Sequence, residues 1–133
     1  MEGTLPEKEL CFATEFVDWI LSGKKKATTR IDHFLVDEKT GTYEDVGDFQ
    51  VGDTFCAIHD GDDDETEQQL KPFAVLLVTN VEKRSYGSLD DVLAQTENFP
   101  NRKALCDALG TFYKDLQNDT ELVVIYFELL RPL

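Results

Sequence analysis

The stretch Ser22-Gly23-Lys24-Lys25-Lys26-Ala27-Thr28-Thr29-Arg30 gathers three amines, a guanidinium and two hydroxyls directly after a glycine. Hydroxyls beside amines are the material of nucleophilic catalysis, in which a weak nucleophile needs a neighbouring base. Three lysines in a row are ordinarily a solvated turn, and a strand threonine is ordinarily a β-former. The setting makes this cluster unusual: it is the densest basic run in a chain with 27 acidic and 13 basic residues. If residues 26–31 form a regular strand, Lys26, Thr28 and Arg30 share one face and Ala27, Thr29 and Ile31 the other. The second face is the more apolar and is expected to pack inward or against a neighbour. Thr28 and Arg30 then project together, ~7 Å apart along the strand.

The elements that must position this cluster follow from the hydrophobic pattern. Residues 9–13 suit a short strand. Phe16, Trp19 and Ile20 have helical spacing, with Thr14 as N-cap and Gly23 in the usual place after a helix C-terminus. Residues 32–50 alternate charges with turn formers and predict a long surface loop, with room for a hairpin. Val51-Gly52-Asp53 is a turn feeding a strand over residues 54–59. Asp60-Gly61-Asp62-Asp63-Asp64-Glu65 opens a solvated acidic loop, and residues 72–81 are the strongest strand in the chain. Ser88 is expected to cap a helix over residues 89–95, which Asn98-Phe99-Pro100-Asn101 breaks. A second helix is predicted over residues 102–116, with Leu105, Leu109, Phe112 and Leu116 as its apolar stripe. A buried strand over residues 121–130 follows. Helices and strands do not alternate regularly, so the expectation is α+β: a small, mostly antiparallel barrel flanked by two or three helices.

Bulk properties bound the function. A chain of 133 residues has room for one domain, here 9–133 after a loose tail at 1–8. An apolar fraction of 41%, with nine Phe, suffices for one core. The formal net charge of −14 repels phosphate backbones and disfavours broad nucleic-acid binding, while leaving room for a small basic pocket. Cys11, Cys56 and Cys106 are odd in number and widely spaced, which fits a reducing compartment better than a disulfide framework. Met1-Glu2-Gly3 opens a polar, acidic stretch without the apolar region of a signal peptide, and no run of ~20 apolar residues occurs, so neither a secretory leader nor a membrane helix is expected. The expected location is the cytoplasm, or also the nucleus in a eukaryotic cell. His33, His59 and the cysteines lack metal-ligand spacing, and no glycine-rich phosphate loop occurs, so no metal or other cofactor is expected.

Gly23-x-Lys25-x-x-x-x-Arg30 resembles the signature of the ASCH domain family, which has a PUA-like β-barrel fold. Phe16 to Leu21 supplies the preceding helix, Phe49-Gln50-Val51-Gly52-Asp53 resembles the family's turn, and the strand from Leu122 to Leu129 closes the chain. Within the family the sequence is most similar to small bacterial N4-acetylcytidine amidohydrolases, from about residue 10 to 130, with extra residues at 32–48 and 61–70. That resemblance implies release of acetate from N4-acetylcytidine or related N4-acylated cytosine nucleosides. It sets the family's lysine at Lys25, its nucleophilic threonine at Thr28, its arginine at Arg30 and its glutamate at Glu97, the last on the local Glu97-Asn98 pair. Gly23, Lys24 and Lys26 join Arg30 as neighbours on the substrate side. PUA-like barrels commonly bind RNA, so an RNA- or nucleotide-binding module, with or without ribonuclease activity, is the alternative.

Amide hydrolysis needs a nucleophile, a base, an acid for the departing amine and a stabilised oxyanion. Thr28 can attack the acyl carbonyl, and Arg30 can bind the oxygen through its fork of donors. Lys25 can serve as base only if burial and the neighbouring cations lower its proton affinity. Lys25 and Glu97 can also exchange roles, and sequence leaves both directions open. Lys25 has the wrong parity to join Thr28 from within the strand, so the site requires an irregular start, which Gly23 can provide. Phe34, Tyr86 and Tyr113 are the aromatic candidates for stacking on a base.

Overall fold

The computed structural model describes residues 5–32, 34–37, 41–44, 46–59 and 71–133. The acidic loop expected from residue 60, the 61–70 insertion, His33 and the first four residues lie outside the described residues. The elements are β1 (Glu9–Phe12), α1 (Thr14–Leu21), β2 (Ala27–Arg30), β3 (Phe34–Asp37), β4 (Thr42–Glu44), β5 (Thr54–His59), β6 (Lys71–Ser85), α2 (Asp91–Thr96), α3 (Arg102–Phe112) and β7 (Glu121–Pro132). Short 3-10 turns occupy Val46–Asp48 and Tyr86–Ser88. No helix among the described residues is long and apolar enough to cross a membrane.

Five strands form one sheet in the order β1-β5-β6-β7-β2. The β1–β5 pair is parallel and the other three pairs are antiparallel. The sheet curls into a half-barrel accompanied by three helices, an α+β architecture consistent with a PUA-like fold. Irregular register between Val75 and Leu76 and between Val78 and Asn80 interrupts the long β6–β7 ladder. Such bulges bend a strand and sharpen its twist, which is what a curled sheet requires. The 32–50 segment contains the expected hairpin, β3 with β4, apart from the main sheet.

β7 separates two cores. Val123, Ile125 and Phe127 face the barrel interior, with Leu10, Phe12, Phe55, Leu76 and Val78. Leu122 and Val124 face the helices, with Leu89, Leu93, Leu105 and Leu109. Alternation along a strand buried on both sides explains its nearly unbroken apolar sequence. In the barrel, Phe12 and Phe55 both meet Phe127 edge-on, with ring centroids 6.3 and 6.0 Å away, a favoured geometry for aromatic pairs.

β1 and β2 are the edges of the sheet, and Arg30 joins them. Its Nη2 donates to the Cys11 carbonyl at 2.8 Å, and its guanidinium lies 4.7 Å from the centre of the Phe12 ring. Cation–π contact and a charged hydrogen bond thus act at the seam of the half-barrel.

Three helix limits differ from the sequence expectation. Thr14 does not cap α1: Ala13 occupies that position without a side-chain bond, and the Thr14 hydroxyl pairs with His59 Nε2 at 2.8 Å. Helix α2 starts later than predicted, because Asp90 rather than Ser88 accepts the Leu93 N–H. Ser88 donates instead to the Ser85 carbonyl within the preceding 3-10 turn. Helix α3 stops at Phe112, where Tyr113 adopts extended backbone and its ring enters the core. The apolar stripe therefore ends early, with Leu105 and Leu109 buried and Phe112 exposed.

Candidate active site

Two helix endings bring the site together. Helix α1 closes with Gly23 at φ +79°, the Gly23 N–H bonded to the Ile20 carbonyl and the Lys24 N–H to that of Trp19. Helix α2 closes in the same manner with Asn98 at φ +74°, the Asn98 N–H on Gln95 and the Phe99 N–H on Ala94. Both are Schellman endings, which need one left-handed residue, favoured for Gly and tolerated by Asn. Lys25 leaves the first ending and Glu97 is the last residue before the second. The Lys26 N–H donates to the Thr96 carbonyl at 2.9 Å and ties the two together. Strand β2 begins only at Ala27, so Lys25 lies in the irregular approach to it.

No atom lies within 4 Å of a methyl group added at Gly23, so Gly23→Ala meets a conformational penalty without a clash. It is expected to cost about 1–2 kcal/mol in denaturant melts, the penalty of a left-handed non-glycine residue.

Among the described residues with stated exposure, the buried polar or charged side chains are Lys25, Thr28, Thr29 and Glu97, each at 4% or less. Lys25 Nζ donates to Glu97 Oε1 at 3.1 Å. The Thr29 hydroxyl donates to Glu97 Oε2 at 2.5 Å. Phe16 and Phe99 cover the ammonium, their ring centres 4.8 and 5.4 Å from Nζ. Burial pulls the Lys25 ammonium below the ordinary lysine value of 10.5, and the Glu97 charge and hydrogen bond oppose this without reversing it. The Arg30 charge pulls it down further. Desolvated ion pairs are weak contributors to stability and are concentrated at functional sites.

Thr28 lies on the other side of β2. It pairs with Ile125 of the barrel core, whereas Thr29 pairs with Val124 of the helix-side core. Its hydroxyl oxygen accepts from Arg30 Nε at 2.9 Å. The sequence-derived residues thus form two adjoining groups, Lys25 with Glu97 and Thr28 with Arg30. Lys24 and Lys26 are exposed. Thr29 was not among the expected residues, although its parity with position 25 could have signalled it. The aromatic rings at the pair are Phe16 and Phe99. Tyr113 is part of the helix-side core, Tyr86 packs against it, and the Phe34 side chain lies outside the described residues.

No protein-family model and no curated protein matches the chain. Solved structures do. An ASCH domain from Lactobacillus crispatus JV V101 is similar at a TM-score of 0.64 and 18% identity, over 93% of this chain and 80% of that one. A protein from Enterococcus faecalis V583 is similar at a TM-score of 0.64 and 18% identity, over 89% and 68% of the two chains. An ASCH protein from Zymomonas mobilis is similar at 0.52 and 11%, over 94% and 73%. These likenesses show that the chain has the fold of the ASCH domain.

Proposed function

We propose that this chain is an ASCH-family amidohydrolase that removes the acyl group from N4-acetylcytidine or a related N4-acylated cytosine nucleoside. The carrying observation is the buried Lys25–Glu97 pair, with a threonine hydroxyl on the second carboxylate oxygen. A carboxylate that accepts from both an ammonium and a hydroxyl is poised to take a proton, and the ammonium is poised to give one. Glu97 is accordingly the base and Lys25 the acid for the departing N4 amine. The family resemblance gives the nucleophile as Thr28. Arg30 orients that hydroxyl and contributes positive charge toward a developing oxyanion.

The charge distribution disfavours the RNA-binding alternative. Arg84 is engaged by Glu82 and Asp90, Lys103 by Asp107, and Arg102 by the Leu89 carbonyl. The cationic pairs at 83–84 and 102–103 therefore offer little of the free basic stripe a phosphate backbone needs.

Incubation of purified protein with N4-acetylcytidine, followed by chromatography for cytidine, is expected to show turnover that Lys25→Ala and Glu97→Gln lose. No cytidine from the wild type, or undiminished release by Lys25→Ala, would sink the reading. The pH profile carries a sign. With Lys25 as the acid, kcat/KM falls as pH rises through its lowered pKa, so the alkaline limb lies below 10.5. A rate that instead climbs through that range makes neutral Lys25 the base.

A further inference from the structure

We propose that Arg84 is a positioning residue of this site: from β6 it holds the start of α2 and thereby sets the Glu97 carboxylate against Lys25. The inference rests on the amidohydrolase reading above and deepens it. Helix α2 has six residues, too few to hold its own shape, and it buries Leu93 and Ala94 alone. Apolar contact is non-directional, so two such anchors fix the depth of the helix better than its rotation or its slide along the sheet. Directed bonds supply the rest. At the far end the Lys26 N–H donates to the Thr96 carbonyl. At the start, Arg84 Nη1 donates to the Ser88 carbonyl at 3.2 Å and to Asp90 Oδ2 at 3.3 Å, while Asp90 Oδ1 caps the Leu93 N–H at 2.9 Å. Asp91 Oδ1 accepts from the Arg102 N–H at 2.7 Å and joins the same turn to α3.

Arg84 is itself fixed. Its Nε donates to Glu82 Oε1 at 3.0 Å, and the Tyr126 hydroxyl donates to the same oxygen at 2.8 Å. Glu82 and Arg84 pair with Val124 and Leu122, which places them on the helix side of the sheet. Tyr126 also pairs with Ala27, and the Phe127 N–H donates to the Lys26 carbonyl at 2.9 Å. One stretch of β7 therefore locates both members of the buried pair. Its backbone holds the residues that follow Lys25, and the chain of Tyr126, Glu82, Arg84 and Asp90 holds the helix that ends at Glu97. These contacts are partly exposed, with the Arg84 side chain at 21% and that of Asp90 at 51%, and pairs of that kind add little to stability. Their reach into the chemistry is larger, because a misplacement of about 1 Å can cost ~100-fold in rate.

Arg84→Met, Arg84→Lys and Asp90→Asn are compared with the wild type for N4-acetylcytidine turnover, for thermal melting and for the NMR titration of Lys25 in protein carrying isotope-labelled lysine. Lys103→Met, which breaks a surface pair of 2.9 Å on α3, is the control. Arg84→Met is expected to lose about tenfold or more in kcat with little change in KM, and to melt close to the wild type. Asp90→Asn still caps Leu93 but offers Arg84 no charge, so it loses less in the same direction and decides the matter if Arg84→Met fails to fold. Arg84→Lys recovers part of the rate, since one ammonium cannot serve Glu82 and Asp90 as a fork does. In Arg84→Met and Asp90→Asn, Lys25 titrates at lower pH than in the wild type, because the Glu97 charge and hydrogen bond hold its proton affinity up. Loss of the Arg84 charge by itself acts in the opposite direction, so the sign identifies a displaced carboxylate. If the wild type does not turn over N4-acetylcytidine, the substrate reading fails and the Lys25 titration alone decides whether Arg84 positions the pair. Lys25 titrating unchanged or higher in both variants, wild-type kcat in both, or an equal loss in Lys103→Met overturns the proposal.

Discussion

Lys25→Met destabilises the protein by about 3–5 kcal/mol, the cost of breaking a buried ion pair from one side. The ammonium sits under Phe16 and Phe99 and is 3% exposed, and Glu97 is equally buried. Without the lysine, the carboxylate keeps the Thr29 hydroxyl but loses its counter-charge while it stays buried. The second half of the prediction separates stability from function. The double variant Lys25→Met, Glu97→Leu removes both charges, and it is expected to recover most of the lost stability, because apolar replacement of a buried pair is often neutral or better. It remains inactive. Urea denaturation of the two variants beside the wild type gives both numbers. A double variant no more stable than Lys25→Met alone would mean that the pair holds the two helix endings together. A recovered but inactive double variant means that the charges are kept for chemistry.

How far the sequence announces this site depends on the element. β5 was legible to the residue, because Gly52 at φ +95° supplies the turn that the Val51-Gly52-Asp53 pattern advertises. β7 was legible as a buried strand, because both of its faces pack. The start of α2 was not, since Ser88 and Asp90 are both capping residues and the choice is made by the 3-10 turn over Tyr86–Ser88. β6 extends beyond its predicted limits because β7 pairs with it through Ser85, a tertiary fact. The approach of Lys25 from outside the strand follows from parity and from Gly23. Thr29 shows where parity stops being informative. It separates Thr28 from Thr29, but it does not say which face of β2 the helix carrying Glu97 will cover. The face called apolar in the sequence is the one that receives the carboxylate. Glu97 itself had no local signal beyond the family resemblance, because its position comes from a Schellman ending 72 residues from Lys25.

Arg30→Met is expected to cost about 2–4 kcal/mol, from loss of charged hydrogen bonds and a cation–π contact. The loss should be concentrated at the seam. Arg30 reaches Cys11 of β1 and Thr28 of β2, the two strands that lack a second neighbour in the sheet. Hydrogen exchange should therefore quicken in β1 and β2 before it quickens in β6 and β7. Arg30→Lys restores the charge but has one short ammonium in place of a planar fork, so it cannot serve both acceptors and recovers only part of the stability. The same variants reach the chemistry through the field. Arg30 is one of the charges that lower the Lys25 pKa, so removing it lets that pKa rise toward 10.5. With Lys25 as the acid, the alkaline limb of kcat/KM moves to higher pH in Arg30→Met and stays near the wild-type position in Arg30→Lys. A seam that opens without moving that limb would make Arg30 purely a fastening. A limb that moves with charge and not with hydrogen bonding makes it an electrostatic part of the site as well.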